Sequence, residues 1–332
     1  MKLTHFDQIA AMTLPLADAT ARDAALARQN MLTKPQGSLG RLEELAIFMA
    51  GWRGTARPTI TTAQALIFAG NHGVCAQGVN PYPQEVTAQM VGNFQAGGAA
   101  INQLCRANGA DLKVIALELD RPTSDFTQGP AMSEAEVLTA MQAGADAVNP
   151  MADVLILGEM GIGNSTVAAA LTTALFGGTA ADWVGPGTGA DAAGIARKVA
   201  AITAGVARHQ GLTPLQVLAA FGGREQAAIC GAILAARMAR IPVILDGFIC
   251  TAAASVLFAV DQKLLDHCLV GHVSAEPGHG KLLAALGKTA VLQFDMRLGE
   301  GSGAALALGI IRAALAVHNG MATFGEAGVS EA

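Results

Sequence analysis

Short apolar runs recur along the chain from about residue 63, and each is followed by a polar, glycine-rich turn and an alanine-rich segment. The runs have the length and the continuous hydrophobicity of strands that are buried on both faces. They occupy residues 65–69, 112–119, 154–157, 217–221, 241–245, 269–273 and 290–294. The segments between them, such as 167–176 and 190–209, are long enough for crossover helices. The alternation therefore predicts a parallel sheet with helices on both faces.

The start of the chain follows a helical pattern instead. Apolar side chains over 41–52 fall on one stripe of a helix, and 303–318 is again helical in pattern. We therefore expect an α/β fold of two domains. A small helical domain consists of residues 1–60, completed by about 319–332, and residues 61–318 form a large domain with a Rossmann-like, mostly parallel sheet.

The composition narrows the classes of protein that fit the chain. The 332 residues carry a formal net charge of −5, and 52% are hydrophobic while 14% are charged. A high apolar fraction with a low net charge excludes a disordered chain, because enough apolar surface is available to fold. The basic surplus that nucleic-acid binding usually needs is missing, so we expect no nucleic-acid partner.

The five cysteines are widely spaced and lie mostly in apolar segments, which is typical of buried free thiols in a cytoplasmic protein. Residues 1–21 contain no continuous apolar core, so we expect no signal peptide. The longest stretch without charges, 160–181, has glycines near both ends that leave only a short apolar helix. We therefore expect a cytoplasmic protein without a membrane span.

The turns that follow the predicted strands hold most of the polar residues that could carry chemistry. They are residues 70–74, 158–166, 222–225, 246–247, 274–280 and 295–303. In an open parallel sheet such turns lie along the carboxyl edge, where ligands bind. The concentration of glycine and polar side chains there predicts an active site at this edge.

Two glycine-rich turns have the form of phosphate-binding loops. Residues 161–166 precede a helix, and residues 185–189 open another helix that carries Lys198. Backbone N–H groups at a helix start suit a phosphate, so the two turns favour a phosphorylated small molecule. The first turn matches neither a Walker A loop nor a complete dinucleotide fingerprint. An ordinary helix cap at Asn164 or Ser165 is the alternative.

Carboxylates follow three of the predicted strands. Glu300 lies between glycines, where partial burial would raise its pKa toward neutrality and make it a general base. A solvated loop acid is the alternative for Glu300, and the same choice applies to Glu159 and Asp246. Asp246 would either bind ribose hydroxyls or cap neighbouring turns.

The histidines form no recognisable metal-binding pattern. His72, His267, His272 and His279, with Cys268, match no zinc spacing, so we interpret the histidines as structural and expect no metal ion. No Gly-x-Ser-x-Gly elbow follows a strand, which leaves a serine hydrolase unsupported.

Tyr82 precedes a predicted helix that carries Val86, Gln89 and Met90. An aromatic ring, an amide and a thioether would line a slot for a flat heteroaromatic ligand. Packing in the protein core is the alternative for these residues.

Taken together, these motifs resemble the nicotinate-nucleotide–dimethylbenzimidazole phosphoribosyltransferases, which make α-ribazole 5′-phosphate for the lower ligand of cobalamin. The resemblance covers nearly the whole chain. It is carried by residues 34–43, 71–74, 85–90, 158–166, 185–189, 221–224, 245–247, 271–280 and 295–303. It implies a parallel α/β sheet with a small helical domain, assembled as a homodimer, and a reaction without a cofactor.

The resemblance also implies roles for the site residues. Glu300 would take the proton from the azole nitrogen of dimethylbenzimidazole. The base would attack C1′ of nicotinate mononucleotide from the face opposite the departing nicotinate. The 5′-phosphate would be held by Gly161, Ile162, Gly163, Asn164, Ser165, Thr166, Gly187, Thr188, Gly189 and Lys198. The rest of the substrates would be contacted by Ser274 (nicotinate carboxylate), Glu159 and Asp246 (ribose), and Tyr82, Gln89 and Leu298 (azole).

Two other functions stay open. Asn80 and Pro81 stand where the resemblance implies a serine-containing turn, so a related phosphoribosyltransferase that prefers another base fits as well. A non-catalytic nucleotide-binding sensor on the same fold is the other possibility, and the intact Glu300 turn weighs against it.

Overall fold

A computed structural model describes residues 4–330. Its strands form one parallel sheet in the order β2-β1-β3-β4-β5-β6, which confirms the predicted α/β class. The strands are β1 Ala63–Ala69, β2 Ala110–Ala116, β3 Val154–Met160, β4 Val243–Leu245, β5 Cys268–Val273 and β6 Ala290–Gln293. Because β2 lies outside β1 while β3 lies on its inner side, the winding of the sheet reverses between β1 and β3.

The helices cover both faces of this sheet. They are α1 Asp7–Ala10, α2 Ala19–Met31, α3 Arg41–Arg53, α4 Glu85–Ala96, α5 Ala100–Asn108, α6 Glu134–Ala147, α7 Asn164–Phe176, α8 Ala192–Arg208, α9 Pro214–Phe221, α10 Arg224–Met238, α11 Phe248–Val260, α12 Pro277–Leu286, α13 Ser302–Gly320 and α14 Phe324–Ala327. The predicted helices at 41–52, 167–176, 190–209 and 303–318 are confirmed as α3, α7, α8 and α13.

Separate groups of apolar side chains cover the two faces of the sheet. In β1, Leu66 and Phe68 belong to one group and Ala65 and Ile67 to the other, as the two-residue repeat of a strand requires. The first group includes residues of α6, α7, α9, α10 and α11, and the second includes residues of α3, α5 and α13. Burial on both faces explains why these strands are continuously apolar in sequence.

The apolar run 217–221, predicted to be a strand, belongs instead to helix α9. The backbone N–H of Thr213 donates to Gln216 Oε1 (2.9 Å), and Pro214 occupies the first turn. A short apolar run fits a buried helix as well as a buried strand, and the cap residues decide between them here. The turn 222–225 therefore joins α9 to α10 and does not follow a strand.

The N-terminal helices contact the C-terminal part of the chain. Helix α2 packs on α3, and α3 packs on α13. Arg28 in α2 donates hydrogen bonds to the carbonyl groups of His318, Asn319 and Met321. The division into domains at residue 60 stays a prediction, and residues 1–3 and 331–332 lie outside the described part of the chain.

Among the described residues, α13 is the helix that is long and apolar enough to cross a membrane by length and composition alone. Half of its apolar window is buried inside the protein, and α13 packs on α3, α5 and β5. These contacts are those of a core helix in an α/β fold.

Candidate active site

A cavity of about 640 Å³ opens at the carboxyl edge of the sheet. Its walls come from the segments that follow β1, β3, β4, β5 and β6, and from residues near the start of α4 and in α8. The winding of the sheet reverses at this edge, and open α/β sheets bind ligands at such points. The turns after β3, β4, β5 and β6 therefore share this cavity, whereas residues 70–74, directly after β1, do not line it.

Glu300 lies in a turn of three successive residues with left-handed backbone. The φ angles are +81° at Gly299, +62° at Glu300 and +77° at Gly301. A non-glycine residue in this region is strained, and strain of this kind is concentrated at functional sites. The side chain is buried, and burial together with the charge of Asp246 raises the pKa of Glu300 to about 7. A carboxylate with this pKa is suited to accept a proton near neutral pH.

Asp246, at the end of β4, holds the turn that contains Glu300. Its Oδ2 accepts a hydrogen bond from the N–H of Gly301 (3.0 Å), and its Oδ1 accepts one from the N–H of Ala304 (2.9 Å). Asp246 therefore caps the first turn of α13, which is the structural role that the sequence left open. Burial raises the pKa of Asp246, although the charge of His272 and the backbone donors lower it in part.

Glu159, at the end of β3, is a further buried carboxylate beside Glu300 and Asp246 in the cavity wall. Asn164 donates a hydrogen bond from Nδ2 to Glu159 Oε2. Burial, followed by the charges of Asp246, Glu225 and Glu300, raises the pKa of Glu159 well above its usual range. We call Glu159, Asp246 and Glu300 the acid region.

Lys198 belongs to a second polar group in the cavity wall, the lysine region, formed by Ser165, Gly187, Lys198, Glu276 and Arg297. Lys198 Nζ donates to Ser165 Oγ (3.1 Å) and to the Gly185 carbonyl (3.0 Å). Glu276 Oε1 accepts the N–H of Gly187 (2.9 Å), and Arg297 Nη1 donates to the Gly187 carbonyl (2.7 Å). Burial lowers the pKa of Lys198, and Glu276 offsets part of this effect.

The loop 161–166 turns sharply into α7 at Gly163, where φ is +92°. The protein itself uses several N–H groups of this loop. The N–H of Ile162 donates to Thr87 Oγ1 (3.1 Å), while those of Asn164 and Thr166 close the turn onto carbonyls within the loop. A phosphate bound here would therefore depend on the side chains of the lysine region and on the positive end of α7.

Ser274 follows β5 and lines the cavity. Its N–H donates to His279 Nδ1 (2.8 Å), and its Oγ accepts from the N–H of Glu276 (3.2 Å). His279 Nε2 lies 3.2 Å from Thr251 Oγ1, and burial lowers the pKa of His279 to about 3. A neutral, buried imidazole therefore anchors the backbone that carries Ser274.

Apolar side chains form the mouth of the cavity. Tyr82 and Leu298 line it and are 49% and 50% exposed, so Tyr82 is not a core residue. From α4, Val86 and Met90 line the cavity, whereas Gln89 is exposed and lies outside the wall. A half-exposed aromatic ring beside aliphatic and thioether groups suits a flat apolar ring that enters from solvent.

The structure brings most of the predicted site residues together in this wall. They are Tyr82, Glu159, Gly161, Ile162, Gly163, Asn164, Ser165, Gly187, Thr188, Lys198, Asp246, Ser274, Leu298 and Glu300. Gln89 and Gly189 are exposed and Thr166 is buried, and none of the three is part of the wall. Glu276 and Arg297 were not predicted, although both lie in turns that the sequence singles out, 274–280 and 295–303.

Two of the buried histidines, His72 and His267, lie against different groups of the fold. His72 Nε2 is 3.0 Å from Glu225 Oε1, and His267 Nε2 is 3.0 Å from the Ile233 carbonyl. Within residues 4–330, no group of three or more His, Cys, Asp or Glu side chains is arranged to hold a metal ion.

Comparison with known proteins identifies the family of the chain. A family model described as "Phosphoribosyltransferase" matches residues 14–329. The nicotinate-nucleotide–dimethylbenzimidazole phosphoribosyltransferase of Rhodobacter capsulatus is 69% identical over 99% of both chains, and that of Ruegeria pomeroyi is 61% identical over 96% of this chain and 94% of the relative.

A crystal structure of the enzyme of the same name from Thermus thermophilus superposes with a TM-score of 0.87 at 41% identity, covering 95% of this chain and 100% of the other. The chain therefore belongs to the family of nicotinate-nucleotide–dimethylbenzimidazole phosphoribosyltransferases.

Proposed function

We propose that the protein converts nicotinate mononucleotide and 5,6-dimethylbenzimidazole to α-ribazole 5′-phosphate and nicotinate, for the lower-ligand nucleotide of cobalamin. The observation that carries the proposal is the strained, buried Glu300, whose pKa is about 7, in a cavity that also contains a buried lysine. Membership of the family and the names of the relatives support the choice of substrates.

Nicotinate mononucleotide would bind with its 5′-phosphate in the lysine region. Lys198 Nζ, Ser165 Oγ and the Arg297 guanidinium are its expected donors, because charged donors form the strong hydrogen bonds to phosphate. Glu159 would lie near the ribose, and Ser274 near the nicotinate carboxylate. In this arrangement the acid region faces the anomeric carbon, C1′.

Glu300 would act as the general base. As the lone pair of one azole nitrogen forms the bond to C1′, the bond from C1′ to the nicotinate ring nitrogen breaks and its electrons return to that ring. The proton on the other azole nitrogen passes to the Glu300 carboxylate. Attack from the face opposite the leaving group converts the β-linked substrate into an α-linked product. The nicotinate ring nitrogen is cationic in the substrate, so it becomes neutral when nicotinate leaves. The reaction is balanced without a redox partner.

The apolar mouth would select the incoming base. Tyr82, Leu298, Val86 and Met90 offer a ring face and aliphatic surface to the dimethyl-substituted ring. Gln89 is exposed outside this wall, so selection would depend on shape and apolar contact more than on an amide hydrogen bond.

We also propose a cytoplasmic homodimer. The homodimer follows from the resemblance of the sequence to the family, and sedimentation equilibrium would test it. The five cysteines are free, which agrees with a reducing compartment.

The direct test is incubation of the purified protein with nicotinate mononucleotide and dimethylbenzimidazole, with the product identified by mass and by anomeric configuration. We expect stoichiometric nicotinate release and an α-linked product. Preferred turnover of adenine or p-cresol would indicate a transferase with another base preference. Saturable binding of nicotinate mononucleotide without nicotinate release in the presence of any base would indicate a sensor and contradict the proposal.

A further inference from the structure

His272, on β5, lies in the cavity wall beside the acid region. Its side chain is 1% exposed, and its Nε2 is 3.6 Å from Asp246 Oδ1, an ion-pair distance without an aligned hydrogen bond. Neither ring nitrogen of His272 has a hydrogen-bond partner among the residues that the structure describes. Burial of a polar ring without hydrogen bonds is unfavourable, so a functional reason for its position is expected.

Glycines on two sides make room for the His272 ring. A methyl group on Gly303 would lie 1.9 Å from His272 Cδ2, and a methyl group on Gly247 would lie 2.9 Å from His272 Nε2. Gly247 directly follows Asp246, and Gly303 belongs to the first turn of α13. The ring therefore fills the space between the end of β4 and the start of the helix that follows Glu300.

A short series of contacts connects His272 to Glu300. Asp246 Oδ1 faces His272 and also accepts the N–H of Ala304, while Oδ2 accepts the N–H of Gly301, the residue after Glu300. A shift of the Asp246 carboxylate would therefore weaken hydrogen bonds that hold the strained turn. Displacements of about 1 Å at such positions lower turnover strongly, because the base must meet its proton in a defined geometry.

We propose that His272 is a positioning residue for Glu300. Its imidazole keeps the Asp246 carboxylate against the start of α13, and Asp246 in turn keeps the left-handed turn that presents Glu300 to the azole. This inference rests on the general-base role of Glu300 proposed above and adds a residue that acts through Asp246.

Loss of His272 should also change the pH profile. The titratable and charged groups that face the acid region from the surrounding elements are Glu159 of β3, Asp246 after β4, His272 of β5, Glu225 of α10, Cys250 of α11, His279 of α12 and Arg297 in the loop before α13. The charge of His272 lowers the pKa of Asp246, so it favours the ionised carboxylate that raises the pKa of Glu300. Without His272, Asp246 is less ionised and repels a charged Glu300 less. Glu300 then ionises at a lower pH.

Steady-state kinetics of His272→Gln test this inference. We expect kcat to fall about tenfold, KM for nicotinate mononucleotide to change less than about twofold, and the acid limb of kcat/KM to move down by about half a pH unit. His267→Gln is the matched control, because His267 is equally buried and directly precedes β5. It should lower Tm without moving the pH profile. A wild-type pH profile for His272→Gln, with activity lost only in proportion to unfolded protein, would overturn the inference.

A double variant separates this inference from the role of Glu300 itself. If His272 acts only through Glu300, then adding His272→Gln to Glu300→Gln should change the residual turnover by less than about twofold. A further tenfold loss would overturn the positioning role. Near-normal turnover of Glu300→Gln alone would instead contradict the proposed function. His272→Asn replaces the Gln variant throughout if His272→Gln does not fold.

Discussion

The acid region and the lysine region share one cavity but differ in how their charged groups are held. Lys198 is bound by a hydroxyl and a carbonyl at ordinary hydrogen-bond distances of 3.1 and 3.0 Å. In the acid region, carboxylates lie close enough to raise one another's pKa values, and Glu300 sits on a left-handed backbone.

This difference separates binding from chemistry. A group that only binds needs its charge and its hydrogen bonds held in place, and Glu276 and two acceptors do this for Lys198 although burial lowers its pKa. A carboxylate that must accept a proton works best when its environment raises its pKa toward the working pH. Substitutions in the two regions should therefore affect different kinetic parameters.

The largest expected effect is that of Glu300→Gln, which keeps the size of the side chain but removes its capacity to accept a proton. We expect kcat to fall by about 10²-fold or more, the usual scale for a general base, with binding of nicotinate mononucleotide retained. Steady-state kinetics and calorimetric binding would measure both. Asp295→Asn, an exposed acid in the same loop, is the matched control and should leave kcat unchanged. Equal losses in the two variants would show that the loss at Glu300 does not come from a missing general base.

Lys198→Met should affect binding more than chemistry. Loss of a charged donor to phosphate should raise KM for nicotinate mononucleotide roughly 10- to 100-fold, and it should change kcat less. The exposed Lys263→Met is the control for loss of a lysine charge. With nicotinate riboside, which has no phosphate, the Lys198 variant and the wild type should behave alike. A persistent difference with the riboside would show that Lys198 does not act through the phosphate.

Tyr82→Ala should raise KM for dimethylbenzimidazole about fivefold, because an aromatic contact of about 1 kcal/mol is lost. Tyr82→Phe keeps the ring and should match the wild type within about twofold. An effect of the Phe variant as large as that of the Ala variant would show that the hydroxyl, and not the ring face, contacts the base.

The remaining expected effect is on stability and not on turnover. The folded-state pKa of Glu300, about 7, lies above the ordinary glutamate value of 4.5, so the folded protein binds the extra proton between these values. The wild type therefore loses stability as pH rises through this range, and Glu300→Gln does not. Between pH 5 and pH 8, urea unfolding should show that the free energy of unfolding of the variant increases by about 1–3 kcal/mol relative to that of the wild type. If the difference in free energy of unfolding between the variant and the wild type does not change with pH, the pKa of Glu300 is not raised in the folded protein.

Sequence patterns predicted the sheet and most of the cavity wall because both depend on local signals. Continuous apolar runs mark strands buried on both faces, and parallel pairing brings the turns after them to one edge. The same rule failed at 217–221, where the cap at Thr213 and Pro214 turns an apolar run into a helix. It also left the capping role of Asp246 undecided, because contacts between residues 246 and 301–304 depend on tertiary structure.

The direction in which side chains point also could not be predicted from the sequence. Val86 and Met90 line the cavity while Gln89, on the same helix, is exposed, and the orientation of α4 decides which of them faces inward. Arg297 approaches Gly187 across 110 residues of sequence, a contact that no local pattern encodes.

The pH dependence of kcat/KM is the most direct test of Glu300 as the general base. We predict that kcat/KM for the wild type falls about tenfold per pH unit below about pH 7, where Glu300 becomes protonated. The residual activity of Glu300→Gln should lack this limb. The same limb in the Gln variant, or a wild-type profile that stays flat between about pH 6 and pH 8, would contradict the assignment.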